Sequence, residues 1–71
     1  MMPQELFRYA KQLAQDPAFG AALEALTGDA VNMFKGSAPE DKETREQAYH
    51  MQMAVDKIRS HIQNWAKLAD R

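Results

Sequence analysis

Among the residues of this 71-residue chain, His50 and His61 are the ones best suited to proton transfer or metal ligation. Histidine titrates near neutrality and is a common metal ligand. On a helix, eleven positions bring a side chain back to the same face, but roughly 16 Å further along the axis. One chain therefore cannot bring both rings to a single ion. Glu46 and His50, at i and i+4, can form a pair of ligands, but no third ligand is in view. Neither histidine has a nucleophile or a convergent carboxylate to work with. There is no cysteine, which removes thiolate sites and disulfides, and no glycine-rich phosphate loop. The ordinary role for these histidines is on exposed helical faces. We expect no enzyme, no catalytic residue, no cofactor and no metal.

Charge is the next chemistry to weigh. Nine basic and ten acidic residues leave a formal charge of -1, against the basic excess usual in non-specific nucleic-acid binders. The dense run Glu40-Asp41-Lys42-Glu43-Thr44-Arg45-Glu46 fits a solvated first helical turn with local pairs such as Asp41/Arg45 and Lys42/Glu46; the alternative is an acidic docking surface. Basic residues gather elsewhere, at Arg8, Lys11, Lys57, Arg59, Lys67 and Arg71. If the chain folds back on itself, they share one end, which suits an acidic partner or nucleic acid. A nucleic-acid-binding accessory role therefore stays open as a lesser alternative.

The elements that must position these residues are helices. Pro3-Gln4-Glu5 opens one, with proline in the first turn and an acid complementing the dipole. Leu6, Ala10 and Leu13 continue it at helical spacing. Asp16-Pro17 interrupts: aspartate is a strong N-cap, proline fits the first helical position, and the residue before proline avoids helical dihedrals. A second helix then carries Phe19, Leu23, Leu26, Ala30 and Met33, passes through Gly28 without a change of phase, and stops near Gly36. Ser37-Ala38-Pro39-Glu40 has the spacing of a capping box, so the third helix is expected to start at 38. It carries an unbroken heptad seam at Ala48, Met51, Val55, Ile58, Ile62, Trp65 and Ala69. The expected helices span about 4–15, 17–35 and 38–70 of a single helical domain, 1–71.

A short turn at Gly36-Ser37 makes the flanking helices antiparallel neighbours. The seams then meet as Ala30 with Thr44, Leu26 with Ala48, Leu23 with Met51 and Phe19 with Val55. Beyond Pro17, with a shift of one, Leu13 meets Ile62, Ala10 meets Trp65 and Leu6 meets Ala69. The expected fold is all-α: an antiparallel helical hairpin whose first arm is kinked or broken at Asp16-Pro17, with a compact three-helix bundle as the alternative. Trp65 is assigned to the core opposite Ala10, with a half-exposed contact for a partner as the alternative. Outside the seam lie Phe7, Tyr9, Val31, Phe34, Tyr49, Met53 and Leu68, of which all but Tyr9 form the candidate partner interface.

Length gives that interface weight. A chain of this size buries only about 60% of its unfolded surface, and a small core rarely supplies more than roughly 3–5 kcal/mol without a staple. With disulfides and metal set aside, self-association or docking on a larger protein is the remaining supplement. No apolar run approaches the roughly 20 residues of a membrane span, and Met1-Met2-Pro3-Gln4-Glu5 lacks the marks of an export signal. A cytoplasmic location and no membrane partner are expected.

Asp16-Pro17-Ala18-Phe19 leading into a helix, the turn Ser37-Ala38-Pro39-Glu40-Asp41, and Arg45-Glu46-Gln47-Ala48-Tyr49 before Ala54/Ile58/Ile62 together resemble small helical proteins encoded by tailed bacteriophages. The resemblance covers about residues 16–64 and carries no catalytic residues to transfer. It implies a non-enzymatic part in virion assembly, or a small accessory factor acting on host machinery, located in the host cytoplasm or the virion. Two function classes follow: a self-associating helical interaction module, and a small inhibitor or adaptor laying one helix face on a larger protein.

Overall fold

A computed structural model describes residues 2–70 and contains three α-helices: α1 (Pro3–Ala14), α2 (Pro17–Gly36) and α3 (Lys42–Leu68). α3 packs antiparallel against both others, while α1 and α2 scarcely touch. The molecule is an elongated helical hairpin with a broken first arm, measuring 49 × 19 × 17 Å. Its radius of gyration of 15.4 Å compares with about 11 Å for a compact domain of this length.

The break is built from Asp16. Its carboxylate accepts hydrogen bonds from the backbone N–H groups of Ala18 (2.8 Å) and Phe19 (3.1 Å), with Pro17 opening the helix behind it. These caps satisfy N–H groups that have no partner inside a helix. Only Gln15 and Asp16 separate the two helices, so α2 continues along α3 where α1 leaves off.

The start of α3 corrects the expected boundary. The helix begins at Lys42, not at 38, and its N-cap is Asp41. Asp41 accepts from Thr44 N–H at 3.1 Å and from the Thr44 hydroxyl at 2.7 Å. Ser37 instead ends α2 in an extended conformation, and its hydroxyl donates to the Phe34 carbonyl at 2.6 Å. The reason lies in Pro39. A helix capped by Ser37 needs Ala38 in helical dihedrals, and a residue before proline is steered away from them. Ala38 has no side-chain acceptor to serve as the cap itself, so nucleation passes to Asp41. The same helix ends at Leu68, short of the expected 70.

The connection is consequently five residues long, Ser37 to Asp41, and the register moves with it. Ala30 lies beside Ala48 in one groove, a helical turn further along α3 than the expected Thr44. Among the described residues the buried apolar side chains are Ala10, Leu23, Ala30, Ala48 and Val55. Each arm thus presents a narrow core line, α2 through Leu23 and Ala30, and α3 through Ala48 and Val55, continued by the half-buried Ile62. Three of the five buried residues are alanines, which let the helices approach closely and leave little side chain between them. Leu26 and Ile58, both expected on the seam, stand 40% and 43% exposed. Two helices bury only the strip between them, and no third helix covers these flanks.

Candidate functional site

Three residues of the expected interface come together beside the connection. Val31 and Phe34 of α2 and Tyr49 of α3 wall an open groove of about 470 Å³ whose floor is Ala30 and Ala48. Their placement follows from helical geometry. Val31 and Tyr49 each directly follow a core alanine, so each side chain turns to the same flank of an antiparallel pair. All three are substantially exposed, Tyr49 the most at 63%.

Polar contacts stand beside the groove at the connection end. The Arg45 guanidinium lies 4.7 Å from the Phe34 ring centroid, and Arg45 Nε donates to Ser37 Oγ at 3.2 Å. A cation over an aromatic face is attracted by the ring quadrupole. Arg45 therefore ties the end of α2 to the start of α3 and fixes Phe34 at the edge of the groove.

Gln52 supplies the groove's one unusual polar atom. Its Nε2 donates to Asp56 Oδ1 at 3.0 Å, while Oε1 is buried and no protein group donates to it. The expected interface did not include Gln52. The signal was present in its position four residues after Ala48 and three before Val55, an equally good heptad alternative to Met51.

The other expected interface residues do not join this groove. Phe7 and Leu68 are half-buried and line a separate cleft at the far end, together with Met2 and Arg8. Met53 lies in neither cleft and is 36% exposed. The six residues thus fall into a turn-proximal group, a distal pair and one isolated methionine.

His50 and His61 are both exposed, each beside an aromatic ring: His50 at 5.8 Å from Tyr49 and His61 at 5.6 Å from Trp65, centroid to centroid. Among the described residues no three His, Cys, Asp or Glu side chains gather as a metal set, and no helix is long and apolar enough to cross a membrane. In the distal basic cluster Lys11 is ion-paired with Asp70, with both side chains largely in solvent. Such a pair contributes little to stability. What the arrangement offers chemically is apolar contact. No protein-family model, curated protein or solved structure matches the chain.

Proposed function

We propose that this protein is a non-catalytic helical interaction module that self-associates, and that its setting is the assembly of a phage particle. The observation that carries self-association is its surface. The accessible area is 5479 Å² for a mass of 8.1 kDa, whereas a compact monomer of that mass exposes about 4,500 Å². The surplus, about 1,000 Å², is close to the roughly 800 Å² that each partner contributes to a standard interface. A core of mainly alanines is a weak source of burial free energy, so covering the flanks of the hairpin adds what the monomer lacks. The phage setting rests on the sequence resemblance alone.

Sedimentation velocity on the full chain at micromolar concentration tests self-association. A mass of two or more chains is expected, and a well-folded monomer across the whole range removes the proposal. A second reading, a small adaptor or inhibitor docked on a larger protein, is favoured by the groove at Val31, Phe34 and Tyr49. An amphipathic segment laid along it would cover these exposed side chains. It predicts a stoichiometric complex with that protein, weakened by Phe34→Ala.

A further inference from the structure

We infer that the self-association face is the side of the hairpin carrying Leu26 and Ile58, and that its occupant is a second copy of this chain docked by a twofold axis into a four-helix bundle. This inference rests on the self-association reading above and names its surface. It begins from the core lines. On α3 the residues three positions after Ala48, Val55 and Ile62 are Met51, Ile58 and Trp65. On α2 the residues three after Leu23 and Ala30 are Leu26 and Met33.

A step of seven returns a side chain to within about 20° of its starting direction, so each set forms one row along its helix. Both rows are turned from their core lines in the same sense. In an antiparallel pair, equal rotations about oppositely directed axes bring the rows to the same side of the molecule. The groove provides an internal check. Thr27, four residues after Leu23, and Gln52, four after Ala48, line it together, so residues offset by four share the opposite side.

The two sides differ in chemistry. The Leu26/Ile58 side is a double row of five large apolar residues, Leu26 and Met33 on α2 and Met51, Ile58 and Trp65 on α3, whereas Phe19 lines a cleft with Arg59 and Gln63. Its edge positions, one residue before each core residue, are Ala22, Asp29, Gln47, Ala54 and His61. Asp29 is the one formal charge among the rows and these edge positions. The opposite side places Arg59 within its row and Glu24 and Asp56 along its edge. Depletion of charge over a large apolar patch distinguishes the core of an interface from ordinary surface.

Exposure supports the same face. Met33, Met51 and Trp65 are half-buried by the hairpin, while Leu26 and Ile58 are open at 40% and 43%. A twofold interface uses one patch on both copies. Two heptad rows on each hairpin supply the repeat that knobs-into-holes packing of four helices requires. The surplus surface is of the size that one protomer buries in such a contact.

The test uses the full chain and its Leu26→Asp, Ile58→Asp and Tyr49→Asp variants in sedimentation velocity, with helicity followed by circular dichroism. Leu26→Asp and Ile58→Asp should each weaken the dimer by roughly a hundredfold, as charges placed at the centre of an interface do, and keep their helicity. Tyr49→Asp should dimerise like the parent. A parent dimer that survives Leu26→Asp, or dissociates with Tyr49→Asp, overturns this face and leaves self-association standing. A monomeric parent overturns both. If an aspartate variant loses its fold, the chain's lack of cysteine permits single-cysteine variants carrying a nitroxide label. Label at Leu26→Cys should show stronger spin–spin broadening between protomers than label at Tyr49→Cys, and the reverse order overturns the face.

Discussion

Two aspartates delimit the helices of this protein, and one of them makes stability depend on pH. Hydrogen bonds from the Thr44 hydroxyl and then the Thr44 backbone N–H hold the Asp41 carboxyl below its ordinary value of 3.8. A carboxyl whose pKa is lower in the folded state contributes stability above the unfolded value, and that contribution is lost as pH falls through the folded value. Asp41→Asn retains a capping oxygen but does not titrate. The parent should therefore lose melting temperature below pH 4 by more than Asp41→Asn does, and parallel acid limbs would contradict this role. The cap at Asp16 was legible in the sequence because Asp-Pro joins a strong acceptor to a residue already fixed for a first turn. The Ser37 cap misled for an equally local reason: its spacing suits a capping box, but Pro39 restrains Ala38, the residue that must become helical first.

At the scale of helices, the sequence disclosed the number of elements and their antiparallel order but not the rotation of each about its axis. A heptad seam is ambiguous here, because the residue three after a core position and the residue four after it lie on its two flanks. On α3 the choice lay between Met51-Ile58-Trp65 and Gln52-Arg59-Ala66. Hydropathy favours the first set, whereas the hairpin buries the line between them and half-covers much of both flanks. Gln52 and Arg59 were missed as partly buried residues because polarity alone placed them outside. The positions that hold the core are those both patterns share. Leu23→Ala, at a site 5% exposed, should cost about 3 kcal/mol in denaturant unfolding, the usual range for such a truncation. Gly28 lies inside α2 with nothing within 4 Å of an added Cβ and no positive φ. Gly28→Ala should raise stability by about 0.5–1 kcal/mol through helix propensity and a less free unfolded chain, read as a higher melting temperature.

The whole molecule is shaped by the length of α3, which the sequence conveyed through an uninterrupted apolar period from Ala48 to Ala69. Small-angle scattering distinguishes modes of association at this scale. Side-by-side docking of hairpins doubles the mass while leaving the longest dimension near the 49 Å of one chain; end-to-end docking extends it. The first outcome is expected. The layout of the hairpin also has a mechanical consequence. Met2 and Phe7 share a cleft with Leu68 and Ala69, and Lys11 pairs with Asp70, so the two ends of the described chain lie at one pole. Tension applied between them loads the α1–α3 contacts in series, as in peeling, and not in parallel, as in shearing. The hairpin should therefore open at low force from its distal end: α1 detaches first, Asp16 acts as the natural pause, and the contacts beside the Ser37–Asp41 connection give way last.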